Sequence, residues 1–292
     1  SLVSMWQMRF HTNASAIERV EQILMNCGAV SISFSDAADE PILEPPIGDH
    51  PIWSSLIVQV HFTEQEAYAL AAKALQHETE IHSHIELAQI SEHGWQEKFQ
   101  QQFSPMQFGD LWIYPSWQDN PACGGPSVQL DPGLAFGTGQ HATTHLCLAA
   151  LSNMQLSGKH VIDYGCGSGI LALAAQQLGA QHVHAVDIDP QAIMASKDNV
   201  RRNHLSMQAF TIGAPEILND LKAELLVANI LAAPLLTLRE TFMRHLTADS
   251  TLLLSGILCA QSDTVAQHYS QYFNCLDVTN RDGWSALTLT LK

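Results

Sequence analysis

The segment that most constrains this chain is Val161-Ile-Asp-Tyr-Gly-Cys-Gly-Ser-Gly-Ile-Leu171. Two apolar residues lead into Asp163. Gly165, Gly167 and Gly169 follow in alternation, and an apolar helical run comes next. This pattern predicts a buried strand, a tight turn and the first turn of a helix. Backbone N–H groups at a helix N-terminus attract anionic or strongly polar groups, and glycines let a backbone come close to a ligand. The turn therefore reads as a cradle for a nucleotide-like cofactor. A plain tight strand-to-helix connection is the alternative, and a glycine-rich turn alone does not separate the two.

The spacing narrows the choice. The dinucleotide fingerprint is G-x-G-x-x-G. From Gly165 the register is G-x-G-x-G, and Ile170 stands where the third glycine of that fingerprint would fall. With Asp163 two residues ahead of the first glycine, the form D-x-G-x-G-x-G resembles the first motif of class I S-adenosylmethionine-dependent methyltransferases. That ligand carries no pyrophosphate; it has an amino-acid tail, a ribose and an adenine. Asp163 is expected to meet the ammonium of the tail, directly or through water. A second acid should close the next strand and hold the ribose hydroxyls. Asp187 does so at the end of residues 182–187, about twenty residues on, where α/β ligand sites place it.

The chain has 292 residues, enough for one large or two ordinary domains. Its 29 acidic and 13 basic side chains give a formal charge of −16, which argues against a broad basic face for nucleic acid. The same charge suits a basic protein partner, or serves solubility alone. Six cysteines are scattered without a C-x-x-C pair and read as reduced thiols of a cytoplasmic protein. The pairs His82/His84 and His182/His184 lie at strand spacing without partner acids, so no metal site is expected. No apolar run approaches membrane-spanning length and no signal peptide is visible. Ser1 to Ser4, ahead of Met5, read as a remnant of recombinant expression.

The first part alternates short elements. Strands are expected over 6–10, 29–34, 56–62 and 84–90. Helices are expected after Asn13, ending at Gly28, and over 64–76 behind a Thr63 cap. The order β-α-β-β-α-β is ferredoxin-like, and residues 5–90 are assigned to substrate recognition. Residues 91–105 read as a linker with a Gln-rich helix over 92–102. The catalytic domain is assigned to 106–292. After short strands over 110–114 and 127–130, strands over 160–163, 182–187, 208–212, 224–228, 250–255, 274–279 and 284–291 alternate mostly with helices. This is a doubly wound α/β sheet of about seven strands. Only Asn280-Arg-Asp-Gly283 separates the last two, too few residues for a parallel crossover, so they should form an antiparallel hairpin.

Two further segments carry chemistry. Asp131-Pro-Gly-Leu-Ala-Phe-Gly-Thr-Gly-Gln-His-Ala-Thr-Thr144 is too long for an ordinary connection and reads as a functional loop. Glycines flank Phe136, whose ring is expected to cover a bound sulfonium. Thr144 offers a hydroxyl near a helix start. His141 is read as loop structure rather than as a base. In Leu225-Leu-Val-Ala-Asn229-Ile-Leu-Ala-Ala-Pro234 an apolar strand ends at Asn229, at the carboxyl edge where α/β folds bind ligands. Amino-directed methyltransferases often carry Asn-Pro-Pro-Tyr or Asp-Pro-Pro-Tyr there. The sequence Asn-Ile-Leu-Ala fits a flexible alkyl amine better than a planar base or amide.

With these segments together the chain resembles the bacterial methyltransferases of large-subunit ribosomal protein eleven. The match runs over nearly the whole sequence, including Pro115-Ser-Trp117 and Leu254-Ser-Gly-Ile-Leu258. Ala142 and Ala233 stand where the family usually has Pro and Gly. The resemblance implies trimethylation of the α-amine and of lysine side chains on that ribosomal protein, with S-adenosylmethionine as donor; a monomer is expected. It implies that Thr144, Gly165, Asp187 and Asn229 hold the cofactor, joined here by Asp163 and Gly167, with Asn229 and Phe136 serving the transfer. A nicotinamide-dependent oxidoreductase and a noncatalytic ribosome-factor binding module are the competing readings.

Overall fold

The computed structural model describes residues 5–36, 55–78, 81, 85–90, 104–131 and 141–292. They form two compact units, one holding the residues up to Ser104, the other Pro105–Asp131 with Ala142–Lys292. The linker helix expected over 92–102 and the ring of Phe136 lie outside the described residues.

The first unit runs β1 (Met5–Asn13), α1 (Ile17–Asn26), β2 (Ser31–Asp36), β3 (Ser55–Phe62), α2 (Gln65–Leu75) and β4 (Glu86–Ile90). Its strands pair antiparallel in the order β2-β3-β1-β4, a β-α-β-β-α-β arrangement. Met8, Phe10, Val58, Val60 and Phe62 are buried together with Ile17, Val20 and Leu24 of α1 and Leu75 of α2. Asn13 accepts a bond from the Ala16 N–H, but the turn it caps is a 3-10 turn, Ala14–Ala16, that runs on into α1. Gly28, at φ 94°, ends α1. The Ala29 N–H bonds back to the Leu24 carbonyl, so β2 starts two residues later than its apolar pattern suggests. The cap expected at Thr63 is corrected: α2 begins at Gln65, so the cap position falls on Glu64, whose side chain makes no capping bond. Glu64 and Glu66 favour that helix start through its dipole instead.

In the second unit, β5 (Met106–Phe108), β6 (Leu111–Tyr114) and β7 (Ser127–Gln129) make a small sheet. The main body follows as α3 (His141–Ser152), β8 (His160–Tyr164), α4 (Ile170–Gln177), β9 (His182–Val186), α5 (Pro190–Arg202) and β10 (Phe210–Gly213). It continues with β11 (Ala223–Asn229), α6 (Ala232–Thr237), α7 (Arg239–Arg244), β12 (Leu246–Leu258), α8 (Cys259–Tyr269), β13 (Phe273–Arg281) and β14 (Trp284–Leu291). The seven strands take the order β10-β9-β8-β11-β12-β14-β13. β8 to β12 are parallel, and β14 runs antiparallel to both its neighbours. The doubly wound sheet with a C-terminal hairpin is therefore as the sequence reads. The hairpin turn is Asp282-Gly283, with φ 49° and 81°, as a two-residue primed turn requires. Central β11 is buried on both faces through Leu225, Leu226, Val227 and Ala228, as a strand covered by two helix layers must be. Strand order reverses between β8 and β11, and ligands of such sheets bind at the carboxyl ends there.

At the opposite, amino end, His160, His182 and His184 gather with ring centroids 4.7–6.2 Å apart. His182 Nε2 lies 2.7 Å from the Thr211 hydroxyl. Among the described residues no group of histidine, cysteine or acidic side chains is placed to hold a metal. Burial, then the neighbouring His182 and His160, push His184 down from 6.5 to about 4. The unfolded chain binds a proton more readily at this position, so stability falls as pH drops below the ordinary histidine range. We expect His184→Gln to raise the melting temperature relative to the parent near pH 5 and to leave it unchanged near pH 8. An equal shift at both pH values in thermal melts would contradict this account.

Candidate active site

Asp163, Asp187 and Asn229 stand at the carboxyl ends of β8, β9 and β11, which are adjacent in the sheet. The glycine turn rises from the same edge. Gly165, Gly167 and Gly169 have φ of 82°, 53° and 84°, a left-handed backbone that other residues adopt at a cost. Each glycine has its own spatial reason. A Cβ on Gly165 would lie 2.4 Å from Ile230 Cγ2, and one on Gly169 would lie 2.9 Å from Ser196 Oγ on α5. A Cβ on Gly167 would meet nothing within 4 Å. Two glycines thus permit close packing, and the middle one faces open space.

The hydrogen bonding corrects one expectation. The turn does not present a row of free N–H groups. Those of Gly165 and Cys166 both donate to the Val186 carbonyl, at 2.8 and 2.9 Å. That of Gly167 donates to Asp187 Oδ2 at 3.0 Å, and that of Gly169 to the Cys166 carbonyl at 2.8 Å. The reason is that β9 lies alongside and its last residues reach the turn. A pyrophosphate needs such donors free, whereas a turn with its donors engaged and two carboxylates beside it suits a ligand bearing positive charge.

Asp187 bridges the turn to the start of α5. Its Oδ2 holds Gly167 and its Oδ1 accepts the Asp189 N–H at 2.9 Å. Both oxygens keep lone pairs for further donors. Asp189 then caps α5 through the Gln191 N–H, with Pro190 at the first helical position. Asp163 sits deeper, 2% exposed, and accepts the Ala172 N–H of α4 at 3.1 Å. Burial pushes its carboxyl up to about 7, against the pull of that bond and with Asp187 adding to the rise. Thr144 is half-buried in the first turn of α3 and Thr143 beside it is fully buried. Three residues on, the Cys147 thiol is pushed up by burial and by the Asp163 carboxylate, which places α3 against the site.

Asn229 is 8% exposed, and its side-chain carbonyl Oδ1 has no hydrogen-bond partner among the described residues. An acceptor left without a partner in the protein costs free energy unless a donor arrives. The corner after it is fixed tightly. The Ile230 N–H bonds to the Ser255 carbonyl, and a Cβ on Gly256 would lie 2.0 Å from the Ile230 carbonyl oxygen. Ile188, next to Asp187, is 87% exposed, an apolar side chain left uncovered at the ligand edge. The sequence reading passed over it, although an isoleucine between two acids at a strand end is the signal that would have found it.

The raised Asp163 carboxyl has a measurable consequence. Its folded value exceeds the ordinary 3.8, so the folded chain holds the proton more tightly. Stability contributed here falls as pH rises from about 4 to about 7, by up to about 4 kcal/mol. Asparagine keeps an acceptor for Ala172 without the charge. We expect Asp163→Asn to stabilise the protein near pH 8 and to change it little near pH 4; denaturant titrations at the two pH values check the difference.

The model of the ribosomal protein L11 methyltransferase (PrmA) family matches residues 4–292. The ribosomal protein L11 methyltransferase of Shewanella sp. (strain ANA-3) is 42% identical over 285 residues, 97% of each chain. That of Legionella pneumophila (strain Lens) is 40% identical over 284 residues, again 97% of each. A crystal structure of a ribosomal protein L11 methylase from Lactobacillus delbrueckii subsp. bulgaricus superimposes with a TM-score of 0.57 at 30% identity, covering 65% of this chain and 98% of that one. A match from end to end, on a sheet that brings Asp163, Asp187 and Asn229 to one edge, shows that the chain belongs to the ribosomal protein L11 methyltransferase family.

Proposed function

We propose that this methyltransferase uses S-adenosylmethionine to methylate amines of ribosomal protein L11, its α-amine and lysine side chains, up to the trimethylated state. The observation that carries the reading is the pairing of an open Gly167 face with a buried Asn229 Oδ1 that lacks a donor. When bound, the donor would supply a sulfonium methyl: the N–C bond to a neutral amine forms in line as the S–C bond breaks, the neutral thioether leaves, and the product ammonium gives its proton to water. The protein's part is to hold and align.

The lone pairs that Asp187 keeps are placed for the ribose hydroxyls. Gly165 and Gly167 line the backbone side, Gly167 leaving room above it. Ile188 offers an apolar platform at the same edge. Thr144 and Asp163 serve the amino-acid tail, Asp163 gaining an ammonium that offsets its burial. Phe136 covers the sulfonium with its ring face. Asn229 accepts one N–H of the incoming amine and so aims its lone pair. Deprotonating an α-amine costs about 1 kcal/mol at neutral pH and a lysine nearly 5 kcal/mol, about what their ordinary pKa values give. No dedicated base is assigned. Residues 5–90 dock the substrate, residues 91–105 link, and residues 106–292 carry the chemistry. The formal charge of −16 suits a basic partner. We place the enzyme in the cytoplasm as a monomer.

Mass spectrometry of ribosomal protein L11 after incubation with enzyme and donor tests the reading. Mass gains in methyl steps are expected; donor binding without any gain would favour a noncatalytic module. Asp187→Ala should lose about 1–3 kcal/mol of donor affinity in calorimetry. Gly167→Ala should fold at a cost of about 1–2 kcal/mol for its left-handed backbone, yet bind the donor far more weakly because the methyl enters the ligand's space. Wild-type donor affinity in both variants would refute this placement.

A further inference from the structure

Helix α5 and its C-cap carry a row of polar side chains at Ser196, Asn199 and Asn203 that no motif marks. Ser196 is fully buried, and its hydroxyl donates to the Gly167 carbonyl at 2.9 Å. It also lies 3.3 Å from Cys166 Sγ. Asn199 Nδ2 donates to the Ser168 carbonyl at 2.8 Å. The peptide groups on both sides of the Gly167 Cα are therefore held, the N–H by Asp187 and the carbonyl by Ser196. The next carbonyl is held by Asn199. Gly167 is the one turn glycine whose missing side chain opens onto free space, and its backbone torsions set where that space points. Glycine has no intrinsic preference that would hold φ at 53° alone. The hold must come from outside the turn, and α5 provides it.

We propose that Ser196 and Asn199 are positioning residues for methyl-donor binding, acting through the carbonyls of Gly167 and Ser168. This rests on the reading that the turn holds S-adenosylmethionine. Asn203, the residue that caps the carboxyl end of α5, supplies the comparison. It grips the backbone of Gln129 on β7, accepting its N–H at 2.6 Å and donating to its carbonyl at 2.9 Å. It makes no bond to the glycine turn. Its loss should loosen the unit without retuning the turn.

The test uses full-length Ser196→Ala, Asn199→Asp and Asn203→Ala. Asn199→Asp keeps the shape, removes the donor hydrogens and adds a negative charge beside the Ser168 carbonyl, so its effect is at least that of the lost bond. The readouts are KM for S-adenosylmethionine, kcat at saturating donor, calorimetric Kd for S-adenosylhomocysteine, and Tm. For Ser196→Ala and Asn199→Asp, KM and Kd should rise about five- to tenfold, the worth of one hydrogen bond, with kcat changed less than about twofold. Asn203→Ala should lower Tm with KM changed less than about twofold. If Ser196→Ala does not fold, Ser196→Cys, which keeps a weak donor in place, should give a smaller rise in the same direction. Lowered Tm with unchanged KM and Kd in the Ser196 and Asn199 variants would make both residues merely structural and overturn the inference alone. Parent enzyme that binds neither S-adenosylmethionine nor S-adenosylhomocysteine would overturn the inference and the donor reading together.

Discussion

The site depends on one strand-end corner seated between two glycines. Asn229 ends β11, and Ile230 turns away against Gly165 on one side and Gly256 on the other. Any side chain at Gly256 would collide with the Ile230 backbone, and one at Gly165 with its side chain. Both glycines also occupy left-handed conformations. This contact ties the carboxyl end of β11 to that of β8, so the amide of Asn229 and the glycine turn keep a fixed separation. In a close-packed interior such a contact has little room to relax. Gly256 also explains why β12 shifts register against β14 between Leu254 and Ile257.

Much of this was legible in the chain. Apolar runs of strand length located the parallel strands of the large sheet, because a buried parallel strand needs apolar residues on both faces; β13, exposed beyond Phe273, was placed by its spacing from β14. The four residues between the last two expected strands forced a hairpin; in the structure the strands extend further and the turn closes over Asp282-Gly283 alone. Asp163, Asp187 and Asn229 could be placed because each closes an apolar strand with a polar side chain. What escaped notice depends on distant partners. Nothing local marks Gly256 as the neighbour of Ile230, or Ser196 as the partner of Gly167, twenty-nine residues away. β5, three residues long, is too short to show a period. Thr63 looked like a cap because caps are read one residue at a time, while the helix start also answers to the acids around it.

The electrostatics of the edge follow from the same geometry. Bonds to Val186 and Asp187 engage the N–H groups of Gly165, Cys166 and Gly167 and leave carboxylates beside the turn. Asp163, buried under α4, leans toward its neutral form, while Asp187 is held by two backbone donors. The result is an edge that tolerates cationic groups and offers a diphosphate little. The glycine spacing and Asp163 already favour a methyl donor over a dinucleotide, and the bonds within the turn add a physical reason.

That N–H groups of the turn are bonded within the protein has a kinetic consequence. On the proposed placement, Asp187, Gly167 and Asp163 would meet the nucleoside and the amino-acid tail of S-adenosylmethionine, and nothing in the turn would have to rearrange to admit them. The demethylated product keeps all of them and loses only one methyl and the sulfonium charge. A cradle built this way holds product about as firmly as donor. Turnover would then follow the ratio of the two small molecules.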